Sequence, residues 1–194
     1  MKALPLLALH LLVFAAMPAG AAVVYSSTLN LPVPFSFSGI YLNPATGSTS
    51  PNEATDPMVN LFFGGVGIGS NALLRPMVSG IDRVANLMVG TVIDDAGNFV
   101  LGANGSSTHV GAGSDQFQIG TPGNLGFAMQ TTNGGPTYYG WMQVVINNAG
   151  AGTVIDWAYE NQTGVAITVG AVPEAGCLTL VVLGAAGAIL RRRR

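Results

Sequence analysis

The fold is decided by the stretch TYYGWMQVVI at residues 137–146, where large apolar side chains recur at every second position. Successive side chains of a β-strand point to opposite faces. Met142, Val144 and Ile146 therefore share one face of a predicted strand, and Tyr139 and Trp141 share the other.

A second stretch, VIDWAYE at residues 154–160, repeats this alternation. Ile155, Trp157 and Tyr159 fall on one face of a strand predicted at 153–160. Further strands are predicted at residues 23–31, 33–42, 58–63, 72–78, 84–93, 99–101, 115–119, 125–130 and 165–169. Strands at this spacing, joined by glycine-rich turns, are typical of sandwiches and barrels.

We therefore expect residues 23–170 to form one all-β domain, an antiparallel β-sandwich of jelly-roll-like type. Within it, Asp94-Asp95-Ala96-Gly97-Asn98 predicts a hairpin turn that leads into Phe99, with Gly97 in the left-handed conformation. The glycine run at 64–69 predicts a β-turn or bulge rather than a phosphate loop, because no Gly-Lys-Ser/Thr closes it.

The N-terminal residues 1–22 have the three parts of a secretory signal peptide. Lys2 supplies the basic start, residues 4–16 form an apolar run broken only by Pro5 and His10, and small residues follow at 19–22. Cleavage after Ala21 or Ala22 would place small side chains in the signal peptidase pockets. The apolar run is shorter than the roughly 20 residues of a permanent membrane helix, so we expect a signal helix that is removed on export.

The C-terminal segment predicts a membrane helix with a cytoplasmic stop. Sixteen residues from Ala175 to Leu190 are apolar apart from one threonine, and as a helix they rise about 24 Å, slightly less than the hydrocarbon core. A cluster of arginines follows and can snorkel to the interface; it consists of Arg191, Arg192, Arg193 and Arg194. Positive charge at one end only orients that end toward the cytoplasm.

Val172-Pro173-Glu174, the apolar helix and the arginines together resemble the PEP-CTERM sorting signal of Gram-negative bacteria. The motif of that family is Pro-Glu-Pro; Pro173 and Glu174 match its first two positions, and Ala175 stands at the third in place of proline. The resemblance implies that residues 172–194 are a sorting tail processed by an exosortase-like enzyme. It also implies passage through the inner membrane to the cell surface or the extracellular space, in bacteria that make exopolysaccharide.

The domain carries a second resemblance, to a domain found in many PEP-CTERM proteins. It rests on four short segments, at residues 39–47, 139–143, 156–160 and 167–170. This resemblance implies a shared β fold and supplies no catalytic residues.

Composition excludes several functions. Between the two terminal segments, eight carboxylates stand against Arg75 and Arg83 only, so nucleic-acid binding is excluded. Cys177 lies in the tail, and we expect the domain to need no disulfide, cofactor or metal. Asp94 and Asp95 lack the spacing of a calcium loop.

We expect no enzymatic activity. The single histidine outside the signal, His109, lies in a Gly/Ser loop and makes no credible catalytic triad. Asp156 and Glu160 would lie about 13 Å apart along one strand, which argues against a glycosidase pair.

Two functions remain after these exclusions. One is a structural component of the cell surface, the biofilm or the exopolysaccharide matrix. The alternative is a carbohydrate-binding module, in which exposed Tyr139 and Trp141 would stack on sugars and Gly140 would leave room for the ligand.

Overall fold

The computed structural model describes residues 22–35, 39–52, 55–62, 67–70, 73–80, 83–100, 116–147 and 151–173. These residues form fourteen strands and no helix. The strands are β1 Val23–Tyr25, β2 Leu31–Val33, β3 Ile40–Leu42, β4 Thr49–Ser50, β5 Val59–Phe62, β6 Gly67–Ser70, β7 Leu74–Pro76, β8 Val78–Ser79, β9 Arg83–Val84, β10 Val92–Ile93, β11 Pro122–Gln130, β12 Thr137–Ile146, β13 Gly152–Glu160 and β14 Ile167–Thr168.

Within those ranges the structure contains no helix long and apolar enough to cross a membrane. The expected signal and membrane helices fall on residues 1–21 and 174–194, which lie outside the described residues.

The central sheet is antiparallel and has six strands. Its order is β1-β13-β12-β11-β7, and β2 also pairs with β13. Strands β11, β12 and β13 follow one another along the chain and are the longest, at nine, ten and nine residues. Cross-strand pairs such as Leu125 with Met142, and Met142 with Trp157, set the register. The predicted all-β, antiparallel character is confirmed.

Smaller antiparallel sheets accompany the central one. Strands β4-β3-β5-β6 form a second sheet of four, while β10 pairs with β14 and β8 with β9. The predicted strand at 165–169 shrinks to the two residues of β14, and the residues around 117–119 form isolated bridges rather than a strand.

Buried apolar residues fall into two clusters, one for each face of the central sheet. The first contains Met142, Val144 and Ile146 together with Leu42 and Val59 of the four-stranded sheet. The second contains Tyr139, Trp141 and Ala158 of the central sheet with Ile93, Ile167 and Val169 of the segments around β10 and β14. The predicted assignment of these side chains to the two faces of β12 is thus confirmed. Other residues of the domain cover both faces.

A bulge in β13 corrects one predicted face. Gln143 pairs with Asp156, but the next residue, Val144, pairs with Val154. Ile155 is the extra residue, and an extra residue moves every later side chain to the other face. Val154, rather than Ile155, therefore joins Trp157 in the first cluster.

The sequence predicted that the turn at residues 94–98 joins two strands paired with each other, the second beginning at Phe99. This pairing is wrong. The turn itself exists, because Gly97 N donates to Asp94 O at 3.1 Å. However, Gly97 does not have a positive φ. β10 pairs with the distant β14, and Phe99 bridges to Met77. The Asp94 side chain accepts from Ala96 N at 3.0 Å and stabilises the turn instead.

Candidate functional site at the C-terminal exit

The candidate site is the point where the chain leaves the domain, next to the indole of Trp141. Trp141 lies opposite Gly126 on β11 and Ala158 on β13. Side chains of Leu87 and Ile93 fill the space over Gly126, and both belong to the second cluster or pack against it, as the ring of Trp141 does. The side chain is only 3 % exposed. Its Nε1 donates to the carbonyl oxygen of Ala171 at 3.2 Å. A residue of the central sheet thus holds the end of the domain.

Backbone hydrogen bonds fix the residues just before this point. Gly90 N donates to Val169 O at 3.0 Å, and Val169 N donates to Thr91 O at 2.9 Å. Ala171 N donates to Thr168 O at 2.9 Å and closes a turn. Val169 is buried in the second cluster. The chain is therefore held in place up to Ala171.

The exposed part of the predicted sorting motif follows at once. Val172 is 48 % exposed, and Pro173 is also exposed. Glu174 and the arginines from Arg191 to Arg194 lie outside the described residues. The two described residues of the motif are therefore exposed directly after an anchored residue, a geometry in which another protein could reach them.

The other predicted processing site lies at the edge strand of the same sheet. Ala22 is exposed, its N donates to Asn161 Oδ1 at 3.2 Å, and Asn161 N donates to Ala22 O at 3.2 Å. Ala21 is outside the described residues. Cleavage after Ala21 would leave Ala22 as the first residue, already paired beside β13.

The expected exposure of Tyr139 and Trp141 is wrong. Tyr139 is 5 % exposed, and its ring stacks on Phe99 with the centroids 5.8 Å apart. Trp141 packs near Tyr25, at 6.4 Å between ring centroids. The physical reason is the extra layer formed around β10 and β14, which covers this face of the central sheet. The flat ring faces that a sugar would need are therefore occupied.

Gly140 does not leave room for a ligand either. An ideal Cβ on Gly140 would lie 2.5 Å from Phe127 Cε2 and 2.7 Å from the carbonyl oxygen of Ala158. The space over Gly140 is filled by the ring of Phe127, its cross-strand partner. Glycine is needed here for close packing of the strands.

A row of polar side chains crosses the face of the central sheet that carries Tyr139 and Trp141. The sequence did not predict this row. Asn124, Gln143 and Asp156 are register partners on β11, β12 and β13. Gln143 Nε2 donates to Asn124 Oδ1 at 3.1 Å, and the Tyr25 hydroxyl donates to Asp156 Oδ2 at 2.7 Å. Asp156 Oδ1 is buried and has no hydrogen-bond partner. The only sequence signal was the recurrence of polar residues inside otherwise apolar strands.

Burial and neighbouring carboxylates raise the pKa values of two tyrosines on this face. The hydrogen bond to Asp156, with burial as a smaller cause, raises the pKa of Tyr25 above its ordinary value of 10.0. Burial raises the pKa of Tyr139, and the negative charges of Asp95 and Asp94 add to the rise. Both phenols are held in their neutral forms.

Two of the four short segments that carry the second family resemblance contact each other in the structure. Trp157 Nε1 donates to the carbonyl oxygen of Pro44 at 3.0 Å, so the segment 39–47 contacts the segment 156–160. A cavity of about 230 Å³ lies beside this contact and is lined partly by Tyr25, Leu29 and Thr46. Across the described ranges, no group of three or more His, Cys, Asp or Glu side chains could hold a metal ion.

Comparisons with protein-family models, with curated proteins and with solved structures found no match for this chain.

Proposed function

We propose that this chain is an exported bacterial surface protein, sorted through its C-terminal tail, with a structural role in the cell surface or the surrounding matrix. The observation that carries the proposal is the geometry of the C-terminal exit. Trp141 anchors Ala171, and Val172 and Pro173 are exposed immediately afterwards. A sorting signal has to be accessible to a membrane-bound enzyme while the domain stays folded, and this arrangement meets both needs.

The route begins with removal of residues 1–22 by signal peptidase. The apolar run from Ala175 to Leu190 then holds the chain in the inner membrane of a Gram-negative cell, with the four arginines in the cytoplasm. An exosortase-like enzyme recognises Val172-Pro173-Glu174 and processes the tail. The domain ends at the cell surface or outside the cell.

The domain supplies bulk and adhesion rather than catalysis. Its loops are rich in Gly, Ser, Thr and Asn and can hydrogen-bond to hydrated exopolysaccharide without a dedicated pocket. Sugar stacking on Tyr139 and Trp141 is not part of this proposal because both rings are buried. For the fold, we propose that the sheets form an antiparallel β-sandwich of jelly-roll-like type, flanked by an N-terminal signal helix and a C-terminal membrane helix.

Mass spectrometry of the protein recovered from the outer surface tests the sorting step. Peptides covering Cys177 to Arg194 should be absent from the wild type. The double variant Pro173→Ala/Glu174→Ala should keep those peptides and stay in the membrane fraction. Pro51→Ala is the matched control, since Pro51 is an exposed proline far from the tail in sequence, and it should behave as wild type. Full recovery of the tail peptides from surface-exposed wild type would contradict the proposal.

A further inference from the structure

A tight turn beside the C-terminal exit exposes large apolar side chains. Thr91 N donates to Met88 O at 3.0 Å, and Gly90 has a φ of +92°, which a bulkier residue would adopt only with strain. Met88 is 78 % exposed and Val89 is 72 % exposed. Turn tips usually carry Gly, Pro, Asn, Asp or Ser. Two large apolar residues at this tip therefore need an explanation.

The turn is attached to the exit itself. Gly90 N and Thr91 O both bond to Val169, and an ideal Cβ on Gly170 would lie 3.1 Å from Val89 Cγ1. Val92, on the same segment, is also exposed, as is Val172 just after the anchored Ala171. We call Met88, Val89, Val92 and Val172 the exit patch. It holds four of the eight large apolar residues that are exposed in the described part of the chain.

Chain length places the exit patch close to the apolar tail. Five peptide links separate Gly170, which touches Val89, from Ala175, where the apolar run begins. Even fully extended, they span at most about 18 Å. The headgroup region on each side of a bilayer is about 5–8 Å thick. If residues 175–190 lie in the hydrocarbon core, the turn at Met88 and Val89 is therefore within reach of the interface.

We infer that the exit patch lies in the lipid–water interface while the tail is in the membrane, and that it fixes the orientation of the domain on the outer leaflet of the inner membrane. This inference rests on the membrane insertion of the tail under the proposed function. Asp94 and Asp95 follow Val92 closely, so contact comes from apolar side chains rather than from attraction to anionic headgroups. Phosphatidylcholine vesicles are therefore the appropriate surface.

The test uses the full chain reconstituted into phosphatidylcholine vesicles and an environment-sensitive fluorophore on single cysteines. Met88→Cys in a Cys177→Ser background reports on the exit patch. Leu29→Cys in the same background is the matched control, because Leu29 is another exposed apolar residue but lines the cavity beside Trp157 of the first cluster, whereas the exit patch adjoins Val169 of the second. The native Cys177 reports separately on insertion of the tail.

The label at position 88 should be about threefold less accessible to iodide than the label at position 29. Spin labels on the lipid headgroups should quench the label at position 88, since interfacial side chains are buried about 5–10 Å into the headgroup and acyl boundary. Equal iodide access at both positions, with Cys177 buried in lipid, overturns the inference and leaves tail insertion intact. A Cys177 label open to iodide overturns tail insertion and the inference together. A third outcome is that the label at position 88 becomes less accessible to iodide as the protein-to-lipid ratio rises, without quenching by the headgroup spin labels. This result indicates a second copy of the chain on the exit patch and also overturns the inference.

Discussion

The indole nitrogen of Trp157 donates to the carbonyl oxygen of Pro44 at 3.0 Å, across 113 positions of the chain. Asn43 stabilises the turn that contains this carbonyl oxygen. Its side chain accepts from Ala45 N at 2.9 Å, and its own N donates to Ser48 O at 2.9 Å. The turn after β3 is thereby closed with the Pro44 carbonyl directed at the central sheet. The hydrogen bond from Trp157 joins the turn after β3 to β13.

Replacing Trp157 by phenylalanine should destabilise the domain by about 1–3 kcal/mol, because the Pro44 carbonyl loses its buried partner. Urea denaturation followed by far-ultraviolet circular dichroism measures the change. Thr46→Ala in the same turn is the control: the Thr46 hydroxyl bonds only at the surface, to Ser48, and the change should stay within about 0.5 kcal/mol. Equal effects of both variants would show that the turn, and not the indole bond, sets the stability.

Gly140→Ala should destabilise the domain by about 1–3 kcal/mol through overpacking. The added methyl group would meet the ring of Phe127 and, at 2.7 Å, the backbone oxygen of Ala158. The double variant Gly140→Ala/Phe127→Leu relieves only the ring contact. We expect it to remain less stable than Phe127→Leu alone, because the backbone oxygen cannot move aside. Thermal denaturation of the four proteins measures this cycle, and a neutral Gly140→Ala would refute the packing argument.

The bond between Tyr25 and Asp156 should make stability depend on alkaline pH. The folded pKa of Tyr25 is raised above 10.0, chiefly by its hydrogen bond to Asp156. The folded state therefore holds the proton more tightly than the unfolded state. The resulting stabilisation is complete below about pH 10 and is lost as the pH rises through the folded pKa. Urea denaturation between pH 8 and pH 12 should show this loss, together with those of Tyr139 and Tyr159, whose pKa values are also raised by burial.

Tyr25→Phe provides the control for that titration. The variant should lose about 1.5–3 kcal/mol at neutral pH, because the buried carboxylate of Asp156 loses a hydrogen bond. Its stability should then fall less between pH 10 and pH 12 than that of the wild type. An unchanged alkaline profile would show that the Tyr25 proton is not coupled to folding.

Alternation predicted the extent of β12 and β13 well because each strand packs large side chains on one face, whereas β11 begins at Pro122, before the predicted start at residue 125. Thr137–Ile146 matches the predicted strand at both ends. Alternation could not show that Tyr139 and Trp141 would be covered, since the covering residues come from β10 and β14, which pair over a long sequence separation. The bulge at Ile155 was equally hidden, because an extra residue leaves no mark on the pattern of a short strand. At the exit, the residues of the motif were named from the sequence, but neither the exposure of Val172 and Pro173 nor the hydrogen bond from Trp141 to Ala171 was predicted.

Residues 22–173 should fold without the signal and the tail. The described part of the chain already holds two buried apolar clusters, and a domain of about 150 residues buries roughly 68–70 % of its unfolded surface. The circular dichroism spectrum should be of β type and unchanged by chelator or reductant. Loss of structure on adding chelator would instead indicate a metal that stabilises the fold, with Asp94 and Asp95 as the first residues to examine.

Trp141→Phe should loosen the exit while leaving the fold in place. A phenylalanine ring keeps most of the apolar contact in the second cluster but cannot donate to the Ala171 carbonyl. Amide hydrogen exchange should therefore speed up at Ala171 and Val172, because the turn loses its side-chain anchor. Exchange in β11 and β13 should change little. In cells, the position of Pro173 relative to the domain would then vary more. The fraction of protein with a processed tail should therefore fall relative to wild type, while the amount of folded domain stays the same. If exchange rises equally across the central sheet, Trp141 stabilises the fold as a whole and has no particular role at the exit.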